Sequence, residues 1–300
     1  MAGPQLSILI PYLGDEPSLE ATLLSVLENR PPRCEILIAH NGSYRDPYLL
    51  GDEVRFVIEP RSSTPIRNLQ QGIAAAQGGV IHILQPGVTV LGGWCEEPQR
   101  ILRERSVGSV ASLIRNRADD DQLVSAGWTT ADSELWRPIG AGESSVGGAE
   151  QALVHGACLA AGFYRASLLR DISAGLALPS LAVAQMHWGL QLAELGWSCR
   201  IAERSHTRAT SAIGWPTLDG ATLHGLQCVR AAHENSPAPR DVLVCGLRLL
   251  MARPWSVPRW GQVWMRWHAA RGGHRLTAAL RASQQNVQQR VAVSRVLAAA

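Results

Sequence analysis

The sequence predicts an α/β fold: a mostly parallel sheet with helices on both faces, followed by a helical C-terminal region. Three observations carry that expectation. In the first half of the chain, short apolar runs alternate with stretches of helical periodicity, as in a parallel sheet with crossover helices. The apolar runs are continuous, which suits strands buried on both faces. The chain has 300 residues, 46% hydrophobic and 18% charged, enough for one large core with a helical appendage.

Ser7–Pro11 is the first apolar run and ends at a proline. Pro17 then fits a first helical turn, with Leu19, Leu23, Val26 and Leu27 on one face. Glu35–Ala39 is a second strand, closed by the turn-forming residues His40-Asn41-Gly42-Ser43, and Arg55–Glu59 is a third. Thr64-Pro65 reads as an N-cap with proline at the first helical position. Ile66, Leu69 and Ile73 form the apolar stripe of that helix, and Gly78-Gly79 stops it. Val80–Leu84 is a fourth strand and runs into Gln85-Pro86-Gly87. Gly92–Arg105 reads as a helix and Val107–Leu113 as a strand. From Arg117 to Gln151 the chain is rich in Gly, Ser, Asp and Trp with weak periodicity, and an irregular excursion is expected. Ala152–Ala161 is apolar and small, Met186–Leu195 is a helix stopped by Gly196, and Cys199–Ala202 is a short strand. From Trp215 onward the pattern is helical, interrupted by Pro237, Pro239, Pro254 and Pro258, with a last helix from about His274 to Leu297.

Composition narrows the chemistry. The chain contains no lysine, which excludes Schiff-base catalysis and a Walker-type phosphate lysine. Its six cysteines, Cys34, Cys95, Cys158, Cys199, Cys228 and Cys245, are scattered and never spaced as CxxC, so buried thiols are expected rather than a zinc site or disulfide framework. The N-terminus passes almost directly into Leu6–Ile10 without a basic region, and is read as a strand rather than a signal peptide. No apolar run is long enough for a bilayer span, and the cytoplasm is the default compartment. Gly140-Ala141-Gly142 lacks the third glycine of a dinucleotide fingerprint and follows no strand signal.

Ligands of parallel α/β sheets sit beyond the carboxyl ends of the strands. The loops Tyr12–Asp15, His40–Ser43 and Gln85–Val88 all follow strands, so they are expected to line one crevice.

Taken in order, these pieces resemble the family-2 glycosyltransferases of the GT-A fold, from roughly Leu6 to Ser211. Leu6–Pro11 resembles the family's opening strand, whose proline leads into the nucleotide loop at Tyr12. Ile36–Ser43 is similar to the strand ending in Asp-Asp-Gly-Ser; Gly42 and Ser43 match, while His40 and Asn41 replace the acids that help bind base and ribose. Ile66-Arg67-Asn68, with Gly72 and Ala76, is similar to the Arg-Asn helix facing the nucleotide. Gln85 and Gly87 stand where the family's Leu-Asp-x-Asp motif holds a divalent cation, Mg²⁺ or Mn²⁺, on the donor diphosphate. Gln85 offers a neutral carbonyl oxygen and Gly87 only backbone, so the ligands expected of the family are missing. Val154–Leu159, with His155 and Gly156, resembles the acceptor-side segment. Ala184–Leu190 resembles the helix whose first acid is the general base of inverting members; here Ala184 and Gln185 stand in its place. His187, half a turn further on, is read either as a substitute base or as a packed helix histidine. His206 matches a histidine that some members use as a metal ligand, or is a loop histidine retained from the fold. Arg67 is read as a diphosphate or base contact, or as a solvent-exposed arginine of the capping turn.

The resemblance implies a domain over residues 1–212 that binds a nucleotide-sugar donor, with a glycan or lipid-linked acceptor. The alternative, from a different class, is a non-catalytic scaffold subunit that keeps the fold. Residues 213–300 form a basic helical region. After Asp241 there is no acid but nine arginines, so that tail carries +9 and the rest −6 of the formal +3. Trp255, Trp260, Trp264 and Trp267 interleave with Arg253, Arg259, Arg266 and Arg271. That pattern reads as a peripheral contact with an anionic membrane surface on its inner face, or as tryptophans packed on the main domain; nucleic acid is the less favoured partner.

Overall fold

The computed structural model describes residues 3–12, 14–59, 64–131, 134–148, 154–209, 220–233 and 274–299. The tail tryptophans and their interleaved arginines lie outside these residues.

The apolar runs of the first half form the predicted parallel layer. β1 (Leu6–Pro11) pairs in parallel with β2 (Cys34–His40) and β4 (Val80–Leu84), and β3 (Val54–Ile58) lies outside β2. Every residue of β1 is buried, which is why its sequence shows no polar alternation. The crossovers are α1 (Glu16–Glu28) and α2 (Pro65–Ala75). Each starts on a cap: Asp15 accepts from the Ser18 N–H, and Thr64 from the Arg67 N–H. Such caps satisfy donors the helix cannot, contributing about 1 kcal/mol each. Gly72 of α2 lies where any Cβ would collide with Leu9 and Ala39, so the helix sits close on the sheet.

Beyond β4 the sheet is mixed. Its order is β3-β2-β1-β4-β10-β6-β11-β5, with β7 paired to β6. β10 (Ala161–Arg165) runs antiparallel between β4 and β6 (Val107–Asn116). β11 (Ser198–Ala209) is parallel to β6 and antiparallel to the two-residue β5 (Thr89–Val90).

Several expectations need correction here. The excursion after Arg117 contains β7 (Asp119–Ser125), β8 (Trp128–Ala131) and β9 (Glu134–Pro138), the last two forming a separate small sheet. The first four residues of β7 are exposed, so it carries little apolar signal and is ordered by pairing with β6. The helix expected over Gly92–Arg105 shrinks to α3 (Glu96–Ile101), after Gly93 at φ +78°. The short strand at Cys199 extends to Ala209. Its continuation is polar yet buried: Ser205 Oγ donates to the Trp94 carbonyl (2.6 Å) and lies 2.9 Å from Ser112 Oγ. α4 (Ala166–Ser173) follows β10, and α5 (Leu181–Glu194) begins ahead of Met186.

The chain divides into two compact units, Met1–Ala177 with Trp188–Trp215, and Leu178–His187 with Pro216–Ala300. The first holds the sheet and its main core, in which Ile8, Ile10, Ile36, Ile38, Leu19 and Val26 pack between sheet and α1. Below the sheet, the Glu35 carboxylate accepts from Ser7 Oγ (2.5 Å) and from the Gln77 and Gly78 amides (2.5 and 3.2 Å), and pairs with Arg55 (3.1 Å). In the second unit α6 (Gly220–His233) packs on α7 (His274–Ala299), which buries Leu280, Gln284, Val287 and Val291 at helical spacing. Among the described residues no helix is long and apolar enough to cross a membrane.

Candidate functional site

The three loops foreseen as one crevice follow adjacent strand ends. Pro11 pairs with Ala39, and Leu9 with Ile83, so β1, β2 and β4 finish side by side. Tyr12 continues β1, its N–H donating to the Ala39 carbonyl (2.8 Å). After β2, the buried His40 accepts the Gly42 N–H on Nδ1 (3.2 Å). Gly42 has φ +81°, which its lack of a Cβ permits. Asn41 Oδ1 accepts from the Ser43 N–H (3.1 Å) and Oγ–H (2.6 Å), closing an Asx turn. Because Nδ1 of His40 is an acceptor, its proton sits on Nε2, and burial pushes the ring's pKa down.

Around His40 is an aromatic group. Tyr44 meets His40 edge-on at 6.0 Å, and Tyr44 also contacts Tyr12 (5.3 Å) and Phe56 (5.9 Å). Tyr44 and Phe56 were not singled out from the sequence; their only signal was the aromatic type near a strand end.

The loop after β4 is tied down by its backbone. Gly87 has φ +90°. Its N–H is spent on the Ser18 carbonyl (3.0 Å) and Thr22 Oγ1 (2.8 Å) of α1. Gln85 is half-buried, and its N–H donates to the Ala160 carbonyl (2.9 Å). On α2, Arg67 is exposed and Asn68 buried.

In the segment expected at the acceptor side, His155 Nδ1 lies 2.9 Å from Thr129 Oγ1 and 3.3 Å from the Thr130 amide nitrogen, and its ring stacks on Trp128 (6.1 Å). Trp128 is fully buried against two glycines. A Cβ on Gly156 would lie 2.7 Å from its Nε1, and one on Gly189 would collide with the same ring. Trp128 therefore explains the small residue at Gly156 that the sequence motif only registered.

His206, the candidate metal ligand, stands on β11, where the Arg115 Nε–H donates to its Nδ1 (3.5 Å). Burial and Arg115 both lower its pKa. Among the described residues no cluster of three or more His, Cys, Asp or Glu side chains could hold a metal ion. Gln85, Gly87 and His206 supply no carboxylate, so this donor set does not fit a hard divalent cation.

Gln185 and His187 are buried on α5. His187 lies within the second unit, its Nδ1 3.0 Å from His233 Nε2. Burial, with His233 adding to it, pushes its pKa down to about 3. Burial also pushes the thiols of Cys95 and Cys158 up to about 11, and that of Cys199 to about 12, so none is an ionised nucleophile at neutral pH.

The sequence profile described as glycosyl transferase family 2 matches residues 7–163, more than half of the chain. The chain belongs to this family. Among solved structures, GalNAc-T7 with UDP, GalNAc and Mn²⁺ superposes with a TM-score of 0.59 at 16% identity, covering 76% of this chain and 48% of that one. The chain thus spans about half the length of that relative. TarS 1–349 of S. aureus superposes with a TM-score of 0.54 at 11% identity, covering 95% of this chain and 89% of that one. At such identities the likeness establishes the family's GT-A fold. No curated protein sequence matches the chain.

Proposed function

We propose that this family-2 chain binds a nucleotide-sugar donor at the carboxyl ends of β1, β2 and β4 and serves glycosyl transfer to a glycan or lipid-linked acceptor. The observation that carries the reading is the set of side-by-side strand ends, with Tyr12, the His40–Ser43 turn and the Gln85–Gly87 loop, in a member of the family. GalNAc-T7, which shares the fold, is seen with UDP and GalNAc, which supports a nucleoside diphosphate here. Arg67, exposed on the first turn of α2, offers a cation for phosphate oxygens, while Tyr12 and Tyr44 are buried against one another and support the His40–Ser43 turn from within.

A second reading is favoured by α5. Ala184 and Gln185 cannot take a proton at neutral pH, and His187, lowered to about 3 by burial, is a poor proton acceptor. A non-catalytic subunit that binds donor or partners an active transferase fits that helix. One experiment separates the two: titration with a panel of nucleotide sugars, with and without Mn²⁺, following melting temperature and release of free nucleotide. Binding with turnover supports the enzyme, and binding without turnover the scaffold. A panel that shifts nothing rejects donor binding altogether.

A further inference from the structure

We propose that Arg115 and His206 form a metal-independent anion site that holds the diphosphate of the donor, an inference that rests on the nucleotide-sugar reading. Both residues stand near the carboxyl ends of parallel neighbours, β6 and β11. Arg115 pairs with Arg208, and Arg208 pairs with Thr89 of β5, the strand that follows the Gln85–Gly87 loop. The pair therefore lies on the same edge of the sheet as the loop in which metal-binding acids are missing.

The hydrogen bonding turns this place from a cation site into an anion site. His206 Nδ1 accepts from Arg115 Nε (3.5 Å). A ring nitrogen that accepts carries no proton, so the proton of the neutral ring is on Nε2. One lone pair is spent on a guanidinium and the other nitrogen is a donor, so the ring has nothing to offer a metal.

Charge accounting points the same way. Arg115 Nη1 donates to the Asp120 carbonyl (2.7 Å), a neutral acceptor, and among the described residues no carboxylate pairs with Arg115. The Asp120 carboxylate is taken by Arg208 in a two-point pair, Nε to Oδ1 (2.7 Å) and Nη2 to Oδ2. Glu97, whose field reaches His206, accepts the Arg204 N–H (2.7 Å) and lies 3.6 Å from Arg100. Asp120 and Glu97 are thus engaged elsewhere, and among the described residues no ion pair takes up the Arg115 charge. Its remaining N–H groups and His206 Nε2–H are all donors. A planar guanidinium fork fits phosphate oxygens in two-point contact. It supplies the positive charge that a bridging cation supplies elsewhere in the family.

The test is calorimetric titration of the full chain with UDP, GDP and inorganic pyrophosphate, each in EDTA and in Mn²⁺. The expected result is a nucleoside diphosphate that binds equally in both buffers. Arg115→Gln should weaken it about tenfold or more, with an unchanged melting temperature. Arg115→Lys should recover part of the affinity, since it keeps the charge and loses the fork; it also guards against a folding defect in the first variant. Binding that requires Mn²⁺, or that Arg115→Gln leaves intact, overturns this inference and spares donor binding. Binding of pyrophosphate without either nucleotide overturns the assignment to the donor. No binding of any ligand overturns both readings.

Discussion

His187 Nδ1 and His233 Nε2 lie 3.0 Å apart, so a single shared proton links two helices inside the second unit. His233 Nδ1 in turn lies 2.8 Å from Gln284 Nε2 on α7. With the amide donating, His233 must donate to His187, and His187 Nε2 carries the remaining proton. The chain of bonds works only while His187 is neutral.

The first prediction is acid lability. His187 and His82 are both lowered by burial to about 3, against 6.5 for a free ring. Native protein therefore binds fewer protons than unfolded protein between those values. Stability is fully present above about 6.5 and falls as pH drops towards 3, by up to about 1.4 kcal/mol per pH unit for each ring. Melting temperature should decline steadily below pH 6.5. His82→Phe, beside Phe163 at 3.8 Å, should flatten that decline; an unchanged slope would contradict the buried neutral ring.

Trp128 sets the second. Gly156→Ala or Gly189→Ala forces a Cβ into its indole and should cost about 1–3 kcal/mol in urea denaturation. Pairing either with Trp128→Phe should cost less than the sum of the single changes. Strict additivity would show that the ring is not the obstacle.

Glu35 gathers donors from β1 and from the turn before β4. Glu35→Ala should strand them at a cost of about 1–3 kcal/mol, lowering the urea midpoint without altering nucleotide binding at the opposite end of the strands. A binding defect at constant stability would refute a purely structural role.

Placing acids in the Gln85–Gly87 loop should not create a metal site. In the double variant Gln85→Asp with Gly87→Asp, the second carboxylate starts from a backbone at φ +90° whose N–H is tied to α1. A non-glycine residue there costs roughly 1–2 kcal/mol. Mn²⁺ titration should give no tight site, and a tight one would show that the loop can relax.

For the basic tail, partition onto anionic vesicles should fall when Trp260, Trp264 and Trp267 are replaced by alanine, and again as salt rises. Equal sedimentation of wild type and variant would remove the membrane reading.

The amino-acid pattern was enough for β1, α1, β2, β3, α2 and β4, because continuous apolar runs, a proline in each first helical turn, the Thr64 cap and the Gly78-Gly79 stop are local signals. Set beside the family resemblance, it also singled out His40, Asn41, Gln85, Gly87, Ala184 and Gln185 as non-acidic residues at places where acids are expected. Long-range pairing was not legible. β7 is mostly exposed and takes its order from β6, β10 runs against its neighbours, and β11 continues through buried Ser205 and Thr207, which no hydrophobic period announces. The roles of the histidines were likewise decided only in three dimensions. A ring nitrogen becomes acceptor or donor according to what faces it, and Arg115 faces His206, Gly42 faces His40, and His233 faces His187. Those partners stand 91, 2 and 46 residues away along the chain. Composition and spacing therefore named the candidate positions, while the fold decided which of their atoms donate and which accept.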